Sequence, residues 1–447
     1  MEQDLTTGSV FKRIVYFSLP YLLSYFLQTL YGMADLFITG RFYGVDTITA
    51  VSNGSQIMHM MTVIIVGLAM GTTVTIGHSV GAKCTEQAEK IIGNTITLFM
   101  GIAVAFTVIL VVLVKPIVVL IATPQEAVAG TSIYLLICFI GIPFITAYNI
   151  ISSIFRGLGD SKSPMYFIGI ACVMNIALDY LFMGAFHMGA AGAALGTVCA
   201  QTFSVLVALW VIRRRKTGIS LKKSDFKIER AVIGQVLKIG IPVALQDGFI
   251  QVAFMIITVI ANSRGVSDAA AVGVVEKVIS ALFIVPSSML ATVSALSAQN
   301  LGAGKEKRAT DTLRYATVIT TIYGVIVAVL IQFIAENVVG IFTSDTTVVT
   351  MGSAYIRSYI WDCIFAGIHF SFSGYFAACG KSYIGFLHNI ISITFVRVPG
   401  SYLASKYFTD TLYPMGLAAP AGSLVSVAIC VTAFILLKRK SRVAQTA

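Results

Sequence analysis

Apolar stretches of about twenty residues or more recur along the whole chain, parted by loops where Gly, Ser, Lys and Arg collect. Each can cross about 30 Å of hydrocarbon as a helix. None alternates strictly between apolar and polar positions as a barrel strand does. The pattern predicts twelve spans, at residues 14–39, 51–76, 93–114, 131–154, 166–186, 190–212, 235–261, 272–297, 314–335, 353–377, 384–405 and 415–437. The predicted fold class is an all-α integral membrane protein with twelve transmembrane helices. Glu2 and Asp4 precede Lys12 and Arg13, and no small-residue cleavage site follows a short apolar core. The first span is expected to direct insertion itself, with no cleaved signal peptide.

Composition agrees: 57% of residues are hydrophobic and 11% charged, against about 25% charged in soluble domains. A net charge of +11 raises nucleic acid as a partner, but the placement of the basic residues argues against it. Of 31 Lys and Arg residues, 24 fall at the termini and in the even-numbered loops, nine of them between Arg213 and Lys238. The positive-inside rule then places both termini in the cytoplasm. The expected location is the plasma or inner membrane, multi-pass. Seven cysteines lie scattered and unpaired in spacing, and the five histidines form no HxxxH or HExxH pair. Neither pattern points to a metal, and no cofactor is expected.

The longest polar segment, Arg213 to Arg230, sits near the midpoint and invites a repeat test. GHSVGAKCTEQA from Gly77 falls on AQNLGAGKEKRA from Ala298, and IFRGLGDSKS from Ile154 falls on YFAACGKSYI from Tyr375, both at an offset of 221. Ser18-Leu19-Pro20 falls on Gly240-Ile241-Pro242 after a slip of one residue, and the matches keep their order. The division is an N-lobe at 1–212, a basic cytoplasmic linker at 213–234 and a C-lobe at 235–447 with a basic tail. Two six-helix lobes inserted in the same orientation form a transporter-like arrangement.

Within the first half, span one carries Ser24, Gln28, Tyr31 and Asp35 spaced by four, three and four, so that they share one helical face. Span five carries Asn175 and Asp179 in MNIALDYLF, with Phe182 further along, and span six carries Thr197, Gln201 and Ser204. At about 1.5 Å per residue, Asp35, Asp179 and Thr197 reach depths at which they can meet. An intramembrane carboxylate is a functional candidate by default, and no basic residue of the first six spans is placed to pair with either one. The pair must face water, bind a cation or hold a proton, and each outcome suits a coupling-ion site. The alternative is structural bonding, Asp35 to a neighbouring backbone and Asp179 to Asn175. The second half does not repeat the arrangement: Thr258 stands where an acid corresponding to Asp35 would be, and Val396 and Gly400 stand opposite Asn175 and Asp179. Asp247, Glu276, Asp362 and Arg397 are further embedded charges, for which Glu276 with Lys277 and Asp362 with Arg357 are possible ion pairs.

With ADLFITGRFYG from Ala34, FRGLGDSKSP from Phe155, MNIALDYLF, GAAGAALGT from Gly189 and QNLGAGKEKRA from Gln299, the chain resembles multidrug and toxic compound extrusion (MATE) transporters over essentially its whole length. It is most similar to the bacterial branch with DinF-type and MepA-like members. The resemblance implies export of cationic amphipathic organic compounds in exchange for H⁺ or Na⁺, by alternating access between lobes. It implies an ion site at Asp35, Asn175, Asp179 and Thr197, which would also hold Na⁺ if Na⁺ is the ion, and a helix bend at Pro20. Ile250 occupies the position where the NorM-type branch carries a span-seven glutamate, which argues against a C-lobe Na⁺ site of that kind.

Candidate cavity residues are Gln28, Tyr31, Tyr148, Phe182, Gln201, Gln251, Phe254 and Met255. Their aromatic and thioether groups suit planar cations. The expected partners are small organic cations and membrane lipid, and the expected active unit is a monomer, because one chain already holds both lobes. A lipid-linked oligosaccharide flippase of the same superfamily would share the scaffold, but its cationic cavity contrasts with the carboxylates here. An embedded enzyme lacks support: no GxSxG occurs, and GYFAACGKS at Gly374 misses the phosphate-loop pattern at its first glycine.

Overall fold

The computed structural model describes residues 4–214 and 220–446, and side chains as far as residue 439. Glu2, Arg215, Lys216 and the side chains of Lys440 and Arg442, all part of the charge pattern above, lie outside the described residues.

Among the described residues the helices form twelve rods. The first six are α1 (Val10–Phe42), α2 (Val45–Gly81), α3 (Thr85–Leu120), the bent pair α4 (Gln125–Ile140) and α5 (Ile142–Gly157), α6 (Lys162–Asp179) extended by a π-helical turn Tyr180–Ala185, and α7 (Gly189–Arg214). The second six are α8 (Arg230–Asn262), α9 (Val266–Leu282) with α10 (Ile284–Gly302), α11 (Glu306–Gly340), α12 (Thr346–Tyr359) with α13 (Asp362–Ala378), α14 (Ser382–Ser392) joined through a π-helical turn Ile393–Arg397 to α15 (Val398–Tyr407), and α16 (Tyr413–Thr446). Eight rods are long and apolar enough singly to cross a membrane, and the α4–α5 pair, bent by 51°, makes a ninth.

The breaks have local causes. Pro143 opens α5 beside Gly141, so the chain loses a backbone donor at the bend. The turn 393–397 runs into Pro399, which cannot donate to the carbonyl four residues back. Such wide turns recur at functional sites.

Contacts divide the chain into two compact units, the first built on Val15–Ala244 with Ala298–Gly304, the second on Leu245–Ser297 with Lys305–Ala447. The cuts inside α8 and α10 follow from close backbone approach within the first unit. A Cβ on Gly71 would meet the Val236 carbonyl oxygen at 2.1 Å, and one on Gly302 would meet that of His78 at 2.1 Å. In the second unit Arg264 holds the loop between α15 and α16. It pairs with Asp268 at 2.6 Å and donates to the carbonyls of Ser405, Phe408 and Thr409 at 2.9 Å each.

The described part of the linker does not run free. A short 3₁₀ turn, Lys223–Phe226, lies on α3. Buried Asn94 donates to the Asp225 carbonyl at 3.1 Å and accepts from the Glu229 N–H at 2.6 Å, while Thr97 donates to the Phe226 carbonyl at 3.0 Å. Gly93 makes room, since a Cβ there would meet the Asp225 carbonyl oxygen at 2.3 Å. Leaving those backbone groups unpaired costs roughly 1–3 kcal/mol each. Asn94→Ala should therefore lower the unfolding temperature in detergent and expose the linker to protease. Unchanged melting and cleavage would contradict this anchoring.

Candidate functional site

Three rods of the first unit bring the polar positions together. Asp35 sits on α1, Asn175 and Asp179 on α6 just before its π-helical turn, and Thr197 on α7; their exposures are 3%, 1%, 0% and 9%. Thr197 donates its hydroxyl to Asp35 Oδ2 at 3.5 Å. Asp179 and Asn175 are the other polar neighbours of the Asp35 carboxyl. Asp35 Oδ1, both Asp179 carboxylate oxygens and both polar atoms of the Asn175 amide have no hydrogen-bond partner in the structure. Two carboxyl groups thus face one another with the long Thr197 bond to Asp35 as the one donor contact within hydrogen-bond distance, and among the described residues neither forms an ion pair. The structural alternative, Asp35 on backbone and Asp179 on Asn175, is not what the geometry shows.

The surrounding packing explains how such groups are held. Thr39 bonds back to the Asp35 carbonyl at 2.6 Å and touches the Met183 sulfur, fixing α1 against the π-helical turn. That turn closes with the Phe186 N–H on the Leu181 carbonyl at 2.9 Å. Gly196 lies directly over Asp179: a Cβ there would sit 2.1 Å from Oδ1. The small-residue run GAAGAALGT therefore lets α7 approach the acid closely. Tyr31 lies within electrostatic reach of both acids, as does Tyr134 on α4, and Cys138 on α4 lies within reach of Asp35; sequence reasoning did not single out the last two. Their signal was the spacing of four within an otherwise apolar span.

The remaining predicted residues are distributed more widely. Pro20 is buried inside a continuous α1, with Ser24 donating to its carbonyl at 2.8 Å. Tyr148 is buried on α5, next to Tyr31. Gln201 is 7% exposed with its carbonyl oxygen unpartnered, one turn from Thr197. Gln28 is partly buried, and Phe182 stacks on Phe186 at 6.3 Å. Gln251, Phe254 and Met255 belong to the second unit, where Met255 stands 51% exposed. Asp247 is partly buried on α8.

Two of the possible ion pairs are not formed. Arg357 bonds Glu336 on α11 at 3.2 Å rather than Asp362, because α12 turns its guanidinium towards the neighbouring rod. Lys277 is exposed while Glu276, one residue earlier and so about 100° around the helix, points to Thr258 at 3.3 Å.

The positioning of Asp179 is open to test. A methyl group at 196 must displace its carboxyl, so Gly196→Ala should leave folding intact and cut several-fold the transport that the sequence resemblance implies. Wild-type transport by that variant would mean the close approach has no bearing on the acid.

Comparison with known proteins places the chain. The MatE family model matches it twice, at residues 20–181 and 242–403, which repeats the internal duplication read from the sequence. The probable multidrug resistance protein YpnP of Bacillus subtilis is 30% identical over 415 residues, 93% of each chain. The multidrug export protein MepA of Staphylococcus aureus is 24% identical over 374 residues, 83% of this chain and 82% of its own. Among solved structures, an outward-facing multidrug resistance MATE family transporter superposes with a TM-score of 0.91 at 20% identity, covering 100% of this chain and 99% of its own. Two matched halves and a relative at that identity over nearly the full length make the chain a member of the MATE family of membrane transporters.

Proposed function

We propose that the protein is a secondary active exporter of cationic amphipathic organic compounds, driven by inward H⁺ or Na⁺ through alternating access. The single observation that carries this is the enclosed pair Asp35 and Asp179, with five atoms of Asp35, Asp179 and Asn175 left without a hydrogen-bond partner and, among the described residues, no ion pair to answer them. Such a site gains most from a small cation that arrives and leaves. Relatives named for multidrug resistance and multidrug export support the cargo class.

In this mechanism Asp35 and Asp179 take up the ion, with Asn175 and Thr197 supplying neutral oxygen atoms. Uptake removes the repulsion between the carboxyl groups and lets α1 draw towards α6 and α7, with Pro20 as the weak point of α1. An ion shifts such an equilibrium only by its difference in affinity between the two states. The open amide of Asn175 and carbonyl of Gln201 supply further polar atoms, unpartnered here, that an arriving ion or a moved neighbour would engage. The distribution of basic residues supports cytoplasmic termini in a plasma or inner membrane. The carboxylates disfavour the flippase reading, which requires a cationic cavity in this lobe.

The test uses purified protein in proteoliposomes with a pH gradient or a Na⁺ gradient imposed separately, against cationic dyes. Asp35→Asn and Asp179→Asn should each reduce gradient-driven dye efflux to background while eluting as wild type on size exclusion. Wild-type rates in both variants would overturn the site. The gradient that drives efflux identifies the ion.

A further inference from the structure

The basic linker between the lobes carries more than a hydrophilic tether needs. Its described part, residues 220–230, is clamped to α3 through backbone groups, by Asn94 on Asp225 and Glu229 and by Thr97 on Phe226. The Ser220 N–H adds a further hold, donating to Glu89 at 2.7 Å. On that fixed backbone Lys222, Lys223, Lys227 and Arg230 are exposed, and so are Leu221, Phe226 and Ile228, at 39%, 39% and 62%. Asp225 is the exception, 6% exposed, with its carboxylate accepting from the Lys222 N–H at 2.7 Å. Among the described residues none of the four basic side chains forms an ion pair.

The depth of this segment follows from what grips it. The third span is predicted to begin at residue 93, and Gly93, Asn94 and Thr97 are the α3 positions that meet the turn. Four residues of helix rise about 6 Å, so Phe226, held on Thr97, lies at the level where α3 passes from headgroups into hydrocarbon. α3 is also the most open of the eight rods that can span singly, with 11% of its apolar window buried against 28–61% in the others. Its uncovered flank meets lipid, and the turn rests on that rod.

Lysines beside a span are the ordinary outcome of insertion orientation. Orientation does not explain three apolar side chains left uncovered on a clamped backbone. Basic residues interleaved with Leu, Phe and Ile at the boundary between headgroups and acyl chains make up a surface that binds a membrane. The charge selects the lipid, because lysines near the surface favour an anionic leaflet.

We propose that residues 220–230 form an interfacial anchor that selects anionic phospholipid, with Phe226 and Ile228 at the acyl boundary and Lys222, Lys223 and Lys227 on headgroup phosphates. The anchor is independent of the coupling ion and of the cargo, and concerns only the lipid gathered beside α3.

The test reads lipid contact directly. Trp210 and Trp361 are the two tryptophans of the chain, so Trp210→Phe and Trp361→Phe with Phe226→Trp give a full-length reporter with one indole at the anchor. The reporter is reconstituted in phosphatidylcholine bilayers holding the same small fraction of either brominated phosphatidylglycerol or brominated phosphatidylcholine, whose bromines quench tryptophan on contact. The anionic lipid should quench several-fold more strongly at low salt, and the difference should shrink as salt screens the lysines. Lys222→Gln, Lys223→Gln and Lys227→Gln together should abolish the preference. Arginine at the same three positions should keep it, and both variants should elute as the reporter does on size exclusion. Equal quenching by the two lipids overturns the anionic selection. Quenching by neither places the segment against water or a protein partner and overturns the anchor. A preference that survives both high salt and the three glutamine changes also overturns the proposal, since it then does not come from these lysines.

Discussion

A carboxylate enclosed among helices, with no cation beside it, has to be answered by something that comes from outside the protein. Asp35 and Asp179 are buried, at exposures of 3% and 0%, so bulk solvent does little to offset their charge. Two such groups facing one another compound the difficulty, because ionising one opposes ionising the other. The folded state tolerates them because α1, α6 and α7 are held by features other than bonds to the two carboxyl groups. These are the Thr39 bond to its own helix and its contact with Met183, the wide turn after Asp179, and the absent side chain at Gly196. Stability is thus supplied around the site while the site itself is left incomplete. An incomplete site of this kind is the requirement for coupling, since a carboxylate already satisfied by a lysine would have no reason to change with the ion.

Most of the fold was legible in the sequence because hydrocarbon imposes a single rule: every backbone group must be bonded within its own helix. Length and apolarity then mark the rods. Three rods fall short of that mark singly, the continuous α1 together with α12–α13 and α14–α15, the last two divided by a short break and a wide turn. The first-lobe site was legible for a related reason. Polar residues are scarce enough in these spans that a spacing of four, three and four on α1 stands out against its background. Tyr134 and Cys138 did not stand out, as an aromatic ring and a thiol are ordinary packing groups until a carboxylate is placed beside them. Gly196 was hidden for the opposite reason, since it sits in a run of small residues where each glycine resembles the next.

Charges in the second lobe were the least legible. Sequence spacing pairs neighbours along one helix, which is why Glu276 was matched with Lys277 and Asp362 with Arg357. The actual partners come from other rods: Thr258 of α8 for Glu276, Glu336 of α11 for Arg357, and loop carbonyls 141 to 145 positions away for Arg264. Adjacent residues on a helix point about 100° apart, so i,i+1 pairing is geometrically poor and contacts between rods decide.

The duplication sharpens what the two lobes share and what they do not. The family model matches residues 20–181 and 242–403 with the same length, and both lobes carry a π-helical turn in the fifth rod, at Tyr180–Ala185 and at Ile393–Arg397. A wide turn pushes one residue out of helical register and opens a gap in the packing, which is a space that polar groups can occupy. In the first lobe Asn175 and Asp179 stand just before that turn, and in the second Arg397 ends it with its guanidinium on the Tyr359 hydroxyl. One backbone device therefore serves two centres of different charge. Among the described residues the first forms no ion pair with a basic side chain. The second already contains a cation, Arg397, which bonds Tyr359 and, among the described residues, forms no ion pair with Asp362 or Glu276. A duplicated scaffold can diverge in this way because the packing that preserves each wide turn lies outside the residues that set its charge.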